Sequence, residues 1–407
     1  MKLLVIGTDA SIFDPGSEAR SRIDDYGRLF EELHIVIYTK PGFREAKTES
    51  RVFLYPTNAR FRFLQPYRAY AMGKEIVRRR AIDRISVENP SECGVAGLFL
   101  KWSCRIPFHV QVHADITSPW YRKNSWKERV RFWLAEWIIP RADRIRVVSE
   151  RIRRSLESRF GIHPHTRKSL AGARGGMAVQ RGVTREMPWP EGRGVGVHDS
   201  RITVLPIFVD RARITVAPVS ANPRARYPHF RFVILMVTRL VREKNIALAM
   251  RAFRVVLAKF PDAGLVIVGD GPMRNDLERE VARLGIQGMV RFEGWQNDPL
   301  PYYASSDLYL LTSNFEGYSR SVVEAAASGL PIVMTDVGVA GDIIREGETG
   351  RVVGVGDEHA LARAILDSFE NYAGAKHMAL RAREYVLSLQ PRTREQYLEL
   401  YRNAFTS

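Results

Sequence analysis

Short apolar runs, each closed by a turn and followed by a helical pattern, recur along both halves of this chain. That alternation leaves few folds open. In the amino half, residues 3–6, 33–38, 51–55, 82–87, 108–112 and 144–148 read as strands, with helices predicted over 19–32, 66–80, 94–102, 124–140 and 150–160. A continuously apolar strand has both faces covered, so the series predicts a mostly parallel sheet flanked by helices. A second series predicts strands at 232–237, 264–268, 290–292, 308–311 and 331–335. Its helices are predicted at 245–259, 273–284 and 300–304, from near Ser319, and at 357–369 and 372–388.

Between the two series the pattern breaks. Residues 161–200 carry Pro164, Gly172, Gly175, Gly176, Pro188 and Pro190 among polar and basic residues, which predicts a flexible insertion before a strand at 202–205. Pro218, Pro223 and Pro228 mark a linker over 209–229. A chain of 407 residues is too long for one ordinary core. The expected organisation is a domain over 1–208, a second over 230–391, and a segment, 392–407, that returns to the first. The fold class is therefore α/β, with two facing Rossmann-like domains. Their cleft lies between the carboxyl ends of the two sheets, where such folds bind ligands.

The formal charge is +17, and residues 122–159 alone hold twelve Arg or Lys against five Asp or Glu. Such a surface attracts phosphate as nucleic acid, anionic lipid or phosphorylated substrate, and charge does not choose among them. Cys93 and Cys104 form no disulfide framework and lack metal-site spacing, so reducing cytoplasm is the expected setting. No apolar run reaches the ~20 residues of a membrane span. The opening apolar run is cut off by Asp9 and Asp14 and reads as a buried strand rather than a signal segment.

The second half concentrates the chemistry. Arg239 and Lys244 stand just past a buried strand, where a guanidinium and an ammonium can clasp phosphate oxygens. Gly269-Asp270-Gly271-Pro272 makes a tight strand-to-helix turn without a dinucleotide fingerprint or a phosphate-loop lysine. Glu316 lies in a loop that Gly317 keeps compact, and Tyr318, Ser319, Arg320 and Ser321 present backbone N–H groups at a helix start suited to a diphosphate. Glu324 falls inside the apolar helix Val322-Val323-Glu324-Ala325-Ala326-Ala327, where a buried carboxylate needs a strong partner. A carboxylate accepts two adjacent hydroxyls, so one glutamate suits a sugar and the other a ribose diol. These parts together match a nucleotide-diphosphate sugar.

The stretches at 237–245, 268–272, 290–294, 303–307, 316–324, 329–336 and 347–350 make this chain resemble the family-4 retaining glycosyltransferases of the GT-B fold. The resemblance implies that Arg239 and Lys244 contact the diphosphate, Glu316 the transferred sugar and Glu324 the ribose, with Gly294 and Trp295 near the base. It implies a UDP- or GDP-linked donor, retention of configuration, and chemistry without metal or cofactor. One departure is Asp342, where relatives usually place a glutamate. His113 ends a strand at the cleft, where relatives often carry a histidine, and it joins the catalytic set with Arg239, Lys244 and Glu316. Asp115 and Glu88 are acceptor-side candidates. Gly16 is a donor-side one, although the usual glycine pair is reduced to Gly16-Ser17.

Aromatic and basic residues interleave from Trp120 to Trp137, a composition shared by an anionic membrane surface site and an amphipathic core helix. A nucleic-acid site is disfavoured, because no recognised binding module is present. Peripheral attachment to the inner membrane face would suit a polyprenyl-diphosphate-linked saccharide acceptor; a free saccharide is the other expectation. The rival functions are a sugar-nucleotide epimerase of related architecture, which turns over donor without acceptor, and a non-catalytic membrane-bound scaffold, which binds donor without transfer.

Overall fold

The apolar runs of the amino half are strands in a computed structural model, which describes residues 1–162, 201–210, 213–214, 223–389, 391 and 393–406. They are β1 (Lys2–Gly7), β2 (Glu32–Ile37), β3 (Ala46–Lys47), β4 (Val52–Pro56), β5 (Arg84–Val87), β6 (Phe108–Val112), β7 (Arg144–Val147) and β8 (Ile202–Val204). They form one sheet in the order β3-β4-β2-β1-β5-β6-β7-β8, parallel except for β3 against β4. The second sheet contains β9 (Phe232–Val237), β10 (Ala263–Val268), β11 (Val290–Gly294), β12 (Leu308–Leu311), β13 (Ile332–Thr335) and β14 (Arg351–Val353). Its order is β11-β10-β9-β12-β13-β14, parallel throughout. Strands such as Ala263–Val268 are buried at every position, as strands covered on both faces must be.

The helices of the first domain are α1 (Glu18–Gly27), α2 (Gln65–Arg80), α3 (Glu92–Cys104), α4 (Pro119–Asn124), α5 (Trp126–Ile138) and α6 (Glu150–Phe160). Those of the second are α7 (Ile246–Leu257), α8 (Arg274–Leu284), α9 (Leu300–Ser305), α10 (Arg320–Ala327), α11 (Glu358–Glu370) and α12 (Tyr372–Leu389), and α13 (Arg394–Thr406) closes the chain.

Two helices differ from expectation for local reasons. The helix expected over 19–32 stops at Gly27, which lies so close to the neighbouring chain that a Cβ there would stand 2.4 Å from Val52 and 2.7 Å from the Ser50 carbonyl. The helix expected over 124–140 is two. Ser125 is extended, with φ −159° and ψ 169°, and its hydroxyl accepts from the N–H groups of Lys127 and Glu128. It therefore ends α4 and caps α5, and its hydroxyl also donates to the Glu128 carboxylate at the third helical position. The insertion predicted at 161–200 lies, past Ile162, outside the described residues, as does much of the 209–229 linker.

In each sheet the chain leaves a central strand toward both sides, and the resulting crevices hold the site. β1 lies between β2 and β5, and β9 lies between β10 and β12. The last helix, α13, packs on the first sheet. Tyr397, Tyr401 and Phe405 share a core with Leu3, Val5, Ile23 and Phe30. Tyr401 stacks on Tyr26 at 4.1 Å between centroids, and Arg394 forms an ion pair with Asp25. Tyr401→Ala removes a buried aromatic and is expected to cost about 3 kcal/mol of stability. Chemical denaturation checks this, and a loss below ~1 kcal/mol would mean that α13 adds little to the fold.

Candidate active site

The loops that follow β9, β10 and β12 meet on one side of a cavity of about 760 Å³; Glu18, Arg22 and His113 of the first domain face them across it. Such a volume suits a nucleotide sugar. Three glycines in close contact with their neighbours shape it. At Gly269, φ is +132° and a Cβ would stand 1.9 Å from the Thr238 carbonyl oxygen, so any side chain would force the β9 and β10 loops apart. Gly338 lies against Ser319, whose hydroxyl would be 2.3 Å from an added Cβ. A Cβ on Gly317 would stand 1.9 Å from the carbonyl oxygen of His113, which makes that pair a point of direct backbone contact between the domains.

Lys244 and Glu316 come together in this cavity. The lysine Nζ lies 2.5 Å from Glu316 Oε1, and the Ser313 hydroxyl donates to the same oxygen at 2.7 Å. Their side chains are only 17% and 12% exposed, so each charge is neutralised within a mostly desolvated pair. Arg239 is different: 68% of its side chain is exposed, and its nearest acidic partner, Glu243, is 3.9 Å away. It can turn into the cleft without breaking a strong bond.

Glu324 is 9% exposed and lines the cavity from α10. Its Oε1 accepts from Arg320 Nε at 2.8 Å and its Oε2 from the Tyr303 hydroxyl at 3.1 Å. Arg320 of the same helix and Tyr303 of α9 thus supply the partners that a buried carboxylate requires. Ser319 takes a left-handed conformation, with φ +63°, so α10 begins at Arg320 beside the cavity. The first N–H groups of a helix lack intrahelical partners and favour an anion. Tyr318, Ser319, Arg320 and Ser321 all line the same cavity.

Across the cleft, His113 is exposed toward the cavity, and the first domain desolvates the side of its ring turned away from it. That desolvation, followed by Arg146 and Arg22, lowers its pKa from the ordinary 6.5 and keeps it neutral near pH 7. Glu88 lies deeper: its carboxylate covers Gly7 and accepts the Thr8 N–H at 3.3 Å. Burial pushes its pKa up.

Other candidates sit elsewhere. Gly16 is exposed, lies outside the cavity wall, and gives its N–H to Asp14 Oδ1 at 3.0 Å. Gly271 and Gly294 support the loops rather than line the cavity; the Gly294 carbonyl accepts the Gly269 N–H at 2.7 Å, and Trp295 beyond it reaches the wall. Asp115 bonds to Thr117 and faces Arg151 at 3.9 Å. Arg151 belongs to a contact between domains that sequence reasoning missed. Its N–H donates to Asp342 at 2.9 Å, its guanidinium to Asp336 at 2.6 Å, and Arg154 also pairs with Asp342. The aspartate that departs from the usual glutamate therefore caps α6 across the domain boundary.

Because the folded state resists protonating His113, the His113 ring resonances should show no titration midpoint between pH 5 and 8 by NMR. The unfolded imidazole takes up its proton near pH 6.5, so acidification through that value removes stability through this group. A midpoint near 6.5 in the folded protein would contradict the assignment.

Both halves of the chain match models of one enzyme superfamily. Residues 224–385 match glycosyl transferases group 1, and residues 29–167 match Glycosyltransferase Family 4. Among curated proteins, the chain is 32% identical over 159 residues to the lipopolysaccharide core biosynthesis glycosyltransferase LpsE of Rhizobium meliloti, covering 39% of this chain and 42% of that protein. It is 32% identical over 202 residues to a GDP-mannose-dependent alpha-(1-6)-phosphatidylinositol monomannoside mannosyltransferase of Mycolicibacterium smegmatis, covering 47% and 53%. The matched stretches thus span about half or less of these relatives' lengths. In fold, the chain is similar to Anabaena Alr3699/HepE, solved with UDP and glucose, with a TM-score of 0.69 at 18% identity over 100% and 99% of the two chains. It is likewise similar to a sucrose-phosphate synthase from Thermosynechococcus elongatus, with a TM-score of 0.71 at 18% identity over the same shares. Two matched halves, two facing Rossmann-like sheets and a shared cleft lead to one conclusion: the chain belongs to the GT-B-fold glycosyltransferases of the group 1 and family 4 superfamily.

Proposed function

We propose that this chain is a retaining, metal-independent glycosyltransferase. It moves a hexose-like unit from a UDP- or GDP-linked donor to a hydroxyl of a saccharide or lipid-linked saccharide, in the synthesis of a cell-surface glycan. The observation that carries the reading is the convergence of Lys244, Glu316, Glu324 and the start of α10 on one cavity. The names of the relatives support it: one is a glycosyltransferase of lipopolysaccharide core biosynthesis, and the other is a GDP-mannose-dependent mannosyltransferase named for phosphatidylinositol monomannoside.

In this reading the diphosphate lies at the start of α10, between Lys244 and Arg239, and Glu324 accepts the ribose hydroxyls. Two cations and a helix terminus supply the charge stabilisation that a metal ion supplies in other phosphate chemistry. Glu316 orients the sugar while Lys244 shifts toward the leaving phosphate. The bond between the anomeric carbon and the diphosphate oxygen breaks, and the acceptor hydroxyl bonds to that carbon on the same face. Its proton passes to the departing oxygen. Neutral His113 can donate to a sugar hydroxyl, a role that an unprotonated ring performs through its N–H.

The same reading takes an anionic membrane as the docking surface. Trp102 and Trp133 are 49% and 73% exposed, on α3 and α5, and a row of ring contacts links Tyr70, Phe99, Trp102 and Trp137 across α2, α3 and α5. Residues 60–80 add seven Arg or Lys against one Glu, and such mixed surfaces favour anionic interfaces.

Lys244→Ala is expected to lower kcat at least 100-fold with little change in donor KM, while Glu324→Ala weakens donor binding about tenfold or more. Steady-state kinetics and calorimetry with a panel of nucleotide sugars check both, and unchanged turnover in both variants would remove the assignment. A chelator should leave transfer intact; a sharp loss would contradict the metal-free mechanism. In flotation assays the chain should rise with vesicles rich in anionic lipid and not with neutral ones, and Trp133→Ala should weaken that binding.

A further inference from the structure

A second cavity, of about 400 Å³, opens off the cleft at Arg22, His113 and Ile207 and runs into the first domain between α1, α13 and the sheet. Its wall changes with depth. Asp9, Glu88 and Asn89 stand at the mouth, just past the carboxyl ends of β1 and β5. Ile12, Ile23, Phe30 and Ile35 form the interior, and Leu3 faces it beside its strand partner Leu33. Sugar hydroxyls placed against such walls would lose their hydrogen bonds to water and gain none, so the interior selects an apolar group.

Arg146 gives the slot a second requirement. It lies on β7, is 4% exposed and lines the cavity. Its guanidinium donates to Gln111 Oε1 at 2.7 Å, to the Tyr397 hydroxyl at 3.2 Å and to the Leu205 carbonyl at 3.3 Å, and it lies 5.1 Å from the centre of the Tyr401 ring. All four are neutral groups. The Nε has no hydrogen-bond partner, and among the described residues no carboxylate forms an ion pair with this guanidinium. A buried cation without a counter-charge is costly, and an anion beside it removes the cost.

We infer that this slot holds the non-reacting part of an anionic amphiphile, with its phosphate or carboxylate at Arg146 and its aliphatic body against Ile12, Ile23 and Phe30. That this molecule is the acceptor, with its hydroxyl at His113, rests on the glycosyl-transfer reading; the binding does not. Burial raises the pKa of the Glu88 carboxyl at the mouth, which weakens its opposition to an anion.

The test uses the intact chain and three probes below any micelle concentration: dodecyl phosphate, dodecyl maltoside and inorganic phosphate, titrated by calorimetry. Dodecyl phosphate should bind one per chain, at least tenfold more tightly than either of the others. Ile23→Trp fills the interior and should weaken dodecyl phosphate at least tenfold, and Arg146→Gln should erase its advantage over dodecyl maltoside. Binding of the nucleotide UDP or GDP serves as the folding control, and Leu33→Phe is the gentler filler should Ile23→Trp lose it. Equal binding of dodecyl phosphate by wild type and a folded filler variant would overturn the inference. So would inorganic phosphate binding as tightly as dodecyl phosphate, or no binding of dodecyl phosphate at all. A chain that binds dodecyl phosphate as described but neither nucleotide would instead sink the donor reading and leave the slot standing.

Discussion

The contact on which this molecule depends is a backbone one. Gly317, in the loop that carries Glu316, rests on the carbonyl of His113 with no space for a Cβ between them. Each domain alone offers only half a site: cations, glutamates and a helix start on one sheet, a histidine and a polar crevice on the other. Glycine at 317 lets the two carboxyl edges approach within van der Waals distance and places both halves on one cavity. The pairing of Arg151 and Arg154 with Asp336 and Asp342 then fixes the orientation about that point. Such partly exposed pairs contribute direction more than affinity.

Electrostatics inside the cleft follow from where charges are paired. The chain as a whole is strongly basic, yet Lys244 is held by Glu316 and Arg320 by Glu324. Under the proposed function, a diphosphate entering the cleft would meet cations already partnered by carboxylates. In the proposed reaction, binding exchanges internal pairs for ligand contacts, and the pair of Lys244 with Glu316 opens so that the ammonium reaches the leaving phosphate.

Much of this was legible in the primary structure, and the reasons differ by element. Apolar runs such as 263–268 need both faces covered, so the α/β fold class followed from them directly. Glu324 stood out because a carboxylate inside an alanine-rich helix demands partners; Arg320 is four residues away on that helix, whereas Tyr303 comes from α9, 21 residues back. The break at Ser125 was also readable, as a serine followed three residues later by Glu128, but the apolar period ran through it and masked the cap. Arg146 was harder. A cation within the strand Arg144–Val147 signals something, but its neighbours Gln111, Leu205 and Tyr397 come from three distant parts of the chain. No local pattern reports such a cluster. The cross-domain role of Asp342 was hidden for the same reason, since its partners lie 188 and 191 residues away.

The central claim is geometric: one activated sugar bridges the cations after β9 and the helix that carries Glu324. A crystal structure with an intact UDP- or GDP-linked hexose tests it most directly. The account predicts phosphate oxygens within about 3.5 Å of the Lys244 ammonium and the first N–H groups of α10, with the ribose diol on Glu324. Phosphates bound away from both, with the Lys244 and Glu316 pair undisturbed, would contradict it.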